Sequence, residues 1–104
     1  MNSRAKGVAA EREVADIWQT AGATVRGLEG QGDHLVICAN GLTIHSEVKR
    51  QERLRLPEWI GQLEREAPQG TLPVLAFRQN RGKWYAVLPL DDLVGLVTPN
   101  SKGG

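Results

Sequence analysis

The chain has 104 residues, of which 40% are hydrophobic and 24% are charged, and its formal net charge is +1. These values are typical of one folded domain and exclude a disordered chain. The single cysteine, Cys38, excludes an internal disulfide and a thiolate zinc cluster, so any metal ion must be bound by oxygen or imidazole ligands. No apolar run reaches the roughly 18 residues that span a bilayer, and residues 1–10 lack the apolar block of a signal peptide. We therefore expect a cytoplasmic protein that is not bound to a membrane.

The first predicted element is a helix over residues 4–21, a run rich in helix-forming residues that ends at Gly22. Glu11 lies only about 20° around the helix axis from Trp18, so it should border the buried face. The apolar residues of that face recur at helical spacing and are Ala10, Val14, Ile17 and Ala21, with Trp18 widening the stripe.

Seven further elements follow. Asn40-Gly41 and Asn80-Arg81-Gly82 each separate two β-rich runs, a pattern typical of hairpins. The order helix, three strands, helix, two strands and short helix predicts an α/β fold with a mixed central β-sheet flanked by helices. The predicted strands cover residues 24–28, 33–39, 42–49, 72–77 and 83–88, and the predicted helices cover residues 56–66 and 90–97.

The register of the first hairpin decides which side chains meet. A two-residue turn would pair His34 with Glu47 and leave Asp33 on the other face of the sheet. A three-residue loop, with Gly41 in the left-handed conformation, would instead place Asp33 directly opposite Glu47. We predict the second register.

Acidic and basic side chains converge in this register. Side chains alternate along the third predicted strand, so Glu47 and Lys49 project from one face, beside Asp33. Glu11 points there if the first helix covers that end of the sheet. Carboxylates in contact repel one another unless a cation neutralises them. Mg²⁺, for which Mn²⁺ can substitute, prefers such oxygen ligands, including a backbone carbonyl such as that of Val48. Phosphodiester hydrolysis uses these parts, with Lys49 orienting the attacking water.

Three segments resemble a known family. They look like the corresponding segments of the archaeal-type Holliday-junction resolvase family of the PD-(D/E)XK nucleases. The segments are the helix start Lys6-Gly7-Val8-Ala9-Ala10-Glu11-Arg12-Glu13, then Asp33, then Glu47-Val48-Lys49. The resemblance covers residues 4–97. It implies a single-domain restriction-endonuclease-like fold.

By this resemblance, residues 1–97 form the nuclease domain and residues 98–104 a flexible tail. Two features depart from the family. Gly32 stands where a proline is usual, and Glu29-Gly30-Gln31 replaces a loop that carries a serine. The second departure removes a hydroxyl from the neighbourhood of the site.

The resemblance also assigns roles to the acidic residues and the lysine. Asp33 and Glu47 would bind the metal, Glu11 would support it directly or through water, and Lys49 would assist the attacking water. The implied enzyme is a homodimer that cuts four-way DNA junctions symmetrically, and the small size of the chain favours pairing. Two alternatives are a nuclease of the same fold that acts on other branched, flapped or nicked DNA, and a non-catalytic DNA-binding module.

Basic residues near these positions predict phosphate contacts, which set affinity more than sequence preference. The predicted DNA-binding residues are Arg4, Lys6, Arg12, Arg26, Arg50, Arg53 and Arg55. We expect His34 and His45 to lie at the surface, and Trp18, Trp59 and Trp84 to lie in the core or in a dimer interface. Gln62 of the second long helix either reaches the site or is a surface amide.

Overall fold

The computed structural model describes residues 3–27 and 33–98, with side chains described from residue 7 onward. Helices and strands follow one another in the predicted order. Leu28, the predicted loop 29–32 and the predicted tail after Thr98 lie outside the described residues. No described helix has both the length and the apolar character needed to span a bilayer. The elements are α1 (Ser3–Thr20), β1 (Thr24–Arg26), β2 (Asp33–Ile37), β3 (Thr43–Arg50), α2 (Leu56–Glu66), β4 (Leu72–Arg78), β5 (Tyr85–Val87) and α3 (Leu90–Val97).

The five strands form one mixed sheet in the order β1-β2-β3-β4-β5. Only β3 and β4 run parallel, and the other neighbours are antiparallel. A parallel pair needs a crossover connection, and α2 provides it between β3 and β4. The α/β fold with a mixed sheet flanked by helices is therefore confirmed, and it is consistent with a restriction-endonuclease-like fold.

The two long helices cover opposite faces of the sheet. Val48 of β3 packs with Ala10 of α1. Leu75, which is paired with Glu47 across the parallel strands, packs with Leu63 of α2. Because successive side chains of a strand face opposite ways, the face that carries Glu47 lies beneath α2.

The hairpin between β2 and β3 has the predicted register. The backbone N–H of Cys38 donates to the carbonyl of Leu42 at 2.9 Å, which closes a loop of residues 39–41. Gly41 has a φ of 90°, a conformation that side chains with a Cβ rarely adopt. As a result Asp33 is paired directly with Glu47.

The apolar stripe of α1 differs from the predicted one. Ala10 is buried, whereas Ile17 is 54% exposed, although the two lie about 20° apart around the helix axis. Their angular positions are nearly the same, so the difference comes from their positions along the helix, two turns apart. The sheet covers that side of α1 at Ala10 and no longer covers it at Ile17. Glu11 is itself buried, which confirms that it borders the apolar face.

The three tryptophans take part in the core. Trp59 of α2 is buried between the helix and the sheet, in one cluster with Leu63 and Leu75. Trp18 and Trp84 are partly buried against the apolar cluster under α1. These contacts agree with the core alternative of the sequence-based prediction.

The packing predicts a contrast between two truncations of aliphatic side chains. Leu75→Ala should lower the free energy of unfolding by about 2–5 kcal/mol, because Leu75 is fully buried between β3, β5 and α2. Ile17→Ala should change it by no more than about 0.5 kcal/mol, as is usual for exposed sites. Urea unfolding followed by circular dichroism measures both values. Equal losses in the two variants would contradict the described packing of α1 and α2.

Candidate active site

Three elements bring acidic side chains together beneath α2. Asp33 is the first residue of β2, Glu47 lies within β3, and Glu66 is the last residue of α2. The hairpin register places Asp33 beside Glu47, and the crossover helix delivers Glu66 from above. His45 lies two residues before Glu47 on the same strand, and therefore on the same face.

These four side chains form a compact group. One potential ligand atom from each of Asp33, His45, Glu47 and Glu66 lies within 4.8 Å of the other three. His45 Nε2 is 3.0 Å from Glu47 Oε2, a hydrogen-bond distance. We call these four residues the acidic group. Asp33 and Glu47 were predicted to share a site, and the structure brings them together.

Glu47 is the most deeply buried member of the acidic group. Its side chain is 1% exposed, and its Oε1 atom has no hydrogen-bond partner within the described ranges 3–27 and 33–98. An unpaired buried carboxylate oxygen is costly, because the charged form has lost its hydration without gaining a donor. A bound cation would remove this cost, so the residues present fit a divalent metal ion.

The electrostatics of Glu47 agree with this interpretation. Burial, the largest cause, raises the pKa of Glu47 from its ordinary value of 4.5 to about 7. The hydrogen bond to His45 acts in the opposite direction, and the nearby carboxyl group of Glu66 adds to the increase. A divalent ion stabilises the carboxylate form and so would reverse the shift.

The acidic group opens into a cavity of about 480 Å³. Asp33, His45 and Glu66 contribute to its wall, together with Arg26 of β1, whose positive charge suits an anionic substrate. Gly27 allows the two strands to approach here, because a Cβ at this position would lie 2.7 Å from the backbone oxygen of Asp33. The cavity gives solvent and ligands access to the carboxylates.

Lys49 and Val48 follow Glu47 on β3. Lys49 projects from the same face as Glu47, as the alternation predicted, and is partly buried. Among the described residues it forms no ion pair, so its ammonium group is available to a substrate or a water molecule. The side chain of Val48 packs beneath α1 on the other face. The role of its carbonyl as a metal ligand stays a prediction.

Glu11 approaches from the α1 layer and is not a member of the acidic group. It lies close enough to His34 for its charge to raise the pKa of that histidine, against a larger lowering by burial. His34 is paired with Ser46 on the face beneath α1. Because Asp33 and Glu47 face α2, any support that Glu11 gives to a metal ion must come from the other side of the sheet.

Both histidines are buried, so the prediction that they lie at the surface was wrong. The polarity of histidine suggested that both residues were exposed. They are buried because they lie on paired strands whose two faces are covered by helices. The position of His45 two residues before Glu47 could have revealed its place in the site, since alternate residues share a face.

Glu66 was not among the predicted site residues. Gln62, which was considered, donates a hydrogen bond to the Glu66 carboxylate at 3.3 Å and lies one helical turn before it. The helical spacing of the two residues was visible in the sequence. The orientation of α2 over the sheet, which brings Glu66 to Asp33 and Glu47, was not.

Arg50, one of the predicted DNA-binding residues, forms an ion pair with α1. Its Nη1 atom lies 3.4 Å from Glu13 Oε2 of α1. Glu13 also lies 3.4 Å from Arg78 and accepts a hydrogen bond from Trp84 at 3.1 Å. This contact joins α1 to the ends of β3 and β4, so Arg50 has a structural role whether or not it binds phosphate.

The remaining predicted DNA-binding residues lie in three places. Arg26 lines the cavity, and Arg53 and Arg55 are exposed in the connection between β3 and α2. Arg12 is exposed on α1, whereas Arg4 and Lys6 belong to α1 with side chains outside the described part. Phosphate binding by all of them stays a prediction.

The pKa of Glu47 predicts how the stability of the metal-free protein depends on pH. Between pH 4.5 and about 7 the folded chain holds a proton on Glu47 that the unfolded chain has lost. The associated stability is therefore present below pH 4.5 and is lost as the pH rises through about 7. In EDTA, the melting temperature of the wild type minus that of Glu47→Gln should fall across this interval, because glutamine does not titrate.

Thermal unfolding of both proteins at a series of pH values measures this difference. A difference that stays constant or increases with pH would contradict the burial of an unpaired carboxyl group at position 47. Glu64→Gln, at an exposed position of the same helix as Glu66, serves as the control and should track the wild type throughout.

A comparison with known protein families finds a match. The model of a family described as "Phage putative PDDEXK endonuclease" matches residues 2–102, almost the entire chain. The match confirms the PD-(D/E)XK part of the resemblance, while the matching family is a phage endonuclease family and not the archaeal-type resolvase family. A search of curated proteins gives no match.

Proposed function

Because the chain belongs to the phage putative PDDEXK endonuclease family, we propose that it is a divalent-metal-dependent DNA endonuclease with Asp33, Glu47 and Lys49 as its catalytic residues. The observation that carries this proposal is the direct pairing of Asp33 with Glu47, whose Oε1 atom is buried and has no hydrogen-bond partner among the residues that the structure describes. Two carboxylates in this arrangement are suited to hold one hard cation.

Each residue has a defined task in phosphodiester hydrolysis. Asp33 and Glu47 would hold Mg²⁺, or Mn²⁺ in its place, and the carbonyl of Val48 would support the same ion. Glu11 lies in the α1 layer on the other side of the sheet, so it would act on the ion only indirectly. When bound, the metal stabilises negative charge on the phosphate and lowers the pKa of a coordinated water. Lys49 would orient the attacking water and counter the charge that develops on the phosphate.

The overall reaction consumes one water molecule. The water oxygen forms a bond to phosphorus, and one phosphorus–oxygen ester bond to the sugar breaks. One water proton ends on the leaving sugar oxygen. Arg26, Arg53 and Arg55 would hold the flanking phosphates, with Arg4, Lys6, Arg12 and Arg50 as further contacts.

We further propose that the preferred substrate is a four-way DNA junction, cut symmetrically by a homodimer. The resemblance of the helix start around Glu11 to junction resolvases supports this choice. The enzyme would act in the cytoplasm, where the unpaired Cys38 stays reduced.

Cleavage assays test the catalytic assignment. Wild-type protein with Mg²⁺ or Mn²⁺ should cut a labelled four-way junction, and EDTA should abolish cutting. Asp33→Asn should lower the rate at least about 100-fold because it removes a metal ligand. Lys49→Ala should lower it about 10²- to 10³-fold because it removes a charge that stabilises the transition state. Asp16→Asn, the same chemical change at an exposed position of α1, should leave the rate unchanged.

The same assay decides between substrates. Flapped, nicked and linear duplexes of equal length are compared with the junction at one protein concentration. Equal or faster cutting of these duplexes would replace the junction proposal by a nuclease of broader or different structure specificity. An absence of metal-dependent cutting on every substrate would overturn the enzymatic proposal and favour a DNA-binding module.

The proposed homodimer is supported by the surface of α3. All eight residues of α3 are exposed, and Leu90 is 70% exposed. A helix of this length is marginal by itself, and an exposed apolar patch is typical of an interaction site. A second copy of the chain is the natural partner, since symmetric cutting of a junction needs two active sites. The exposed large apolar residues of α3 are Leu90, Leu93, Val94, Leu96 and Val97.

Light scattering after size-exclusion chromatography tests the dimer. The wild type should have about twice the 11.4 kDa mass of one chain. Val94→Glu should shift the protein to the monomer, because it places a charge on the apolar surface of α3. Thr20→Glu, at the exposed end of α1, should leave the dimer intact. A monomeric wild type at the concentrations used for cleavage would contradict the proposal.

A further inference from the structure

We infer that Glu66 and His45 bind the metal ion together with Asp33 and Glu47, and that the site therefore prefers first-row transition ions such as Co²⁺ to Mg²⁺. This inference concerns the same site as the proposed function and rests on it only for the presence of a metal ion. Neither residue was among the metal ligands that the sequence predicted.

The spacing of the acidic group supports a shared ion. Two ligand atoms on opposite sides of one ion, each about 2.1 Å from it, are about 4.2 Å apart. The four potential ligand atoms of the acidic group lie within 4.8 Å of one another. These separations are close to those that one shared ion requires.

The unpaired oxygen of Glu47 supports a cation at this position independently of the spacing. Glu47 Oε2 meets His45, whereas Oε1 is buried without a donor among the described residues. Asp33 and Glu66 bring further negative charge and no proton donor to the same place. In the metal-free protein a proton can occupy this place, since the pKa of Glu47 is raised to about 7, and a cation between the carboxylates would replace that proton.

The chemistry of the ligand set decides which ion is preferred. Mg²⁺ takes oxygen ligands, keeps several waters and demands a nearly ideal octahedron. A site with three carboxylates and an imidazole leaves at most two octahedral positions for the Val48 carbonyl, water and phosphate. Imidazole nitrogen suits later transition ions, and their affinity for such sites increases along the series from Mn²⁺ to Cu²⁺. His45 is therefore the residue that would separate Co²⁺ from Mg²⁺.

Calorimetric titration of the metal-free protein with CoCl₂ and with MgCl₂, without DNA, tests the inference. The wild type should bind Co²⁺ at least about 10-fold more tightly than Mg²⁺. His45→Asn should weaken Co²⁺ at least about 10-fold and Mg²⁺ by less than about 3-fold, because it removes the nitrogen ligand. Glu66→Gln should weaken both ions about 10-fold or more, because it removes a carboxylate from an oxygen site.

Glu64→Gln is the matched control for Glu66→Gln, since it makes the same change at an exposed position of α2. It should leave both affinities unchanged. Circular dichroism and thermal unfolding in EDTA establish that each variant is folded. In the Co²⁺ complex, the visible absorption bands of the wild type should shift in His45→Asn, because the ligand field loses a nitrogen donor.

The outcomes separate this inference from the proposed function. Equal effects of His45→Asn on Co²⁺ and Mg²⁺, or no effect, would overturn the role of His45. Unchanged affinities in Glu66→Gln would overturn the role of Glu66. Unchanged metal affinity in Asp33→Asn would overturn the proposal that these four residues form a metal site. Selective Co²⁺ binding without DNA cleavage would support the four proposed ligands and would contradict only the proposed endonuclease function.

Discussion

The pairing of β2 with β3 sets the geometry of the whole site. Side chains on a strand alternate between the two faces, so a slip of one residue would turn Asp33 towards α1 while Glu47 still faced α2. The loop closed between Cys38 and Leu42, with Gly41 in a left-handed conformation, prevents that slip. A backbone conformation about eight residues away from Asp33 thus determines whether the two carboxylates lie side by side. The candidate site depends on a turn that contributes no side chain to it.

A second constraint is the burial of charge beneath α2. Glu47 sits in the layer where Leu75, Leu63 and Trp59 pack, and Ser46 and His34 also have unpaired buried atoms on the opposite face. The apolar contacts on both faces of the sheet have to offset these unfavourable polar groups. The site is therefore held in place by the packing around it, while the buried carboxylate of Glu47 opposes folding in the metal-free state.

Much of this arrangement could be predicted from the sequence. The bounds of α2 and α3, the order of the elements, the three-residue hairpin loop and the proximity of Asp33 to Glu47 all followed from local patterns. The features that were not predicted depend on how α1 and α2 lie on the sheet. Ile17 has the right spacing for the core, yet it lies beyond the covered part of α1. In the sequence Glu66 looks like an ordinary surface residue of α2. The direction in which α2 crosses the sheet places it near Asp33. Local spacing fixes angles around a helix and faces of a strand, but it does not fix where one element crosses another.

The crossover through α2 links the site to the order of events in folding. The hairpin that joins Asp33 and Glu47 closes over a short stretch of chain, whereas Glu66 lies on α2, which packs against β4 and so depends on contacts between more distant parts of the chain. Contacts between distant parts of a chain form slowly, because loop closure costs entropy before they stabilise anything. The complete set of four side chains is thus a property of the finished fold. An ion that binds all four favours that fold over any partly assembled state, and its concentration becomes part of the folding equilibrium.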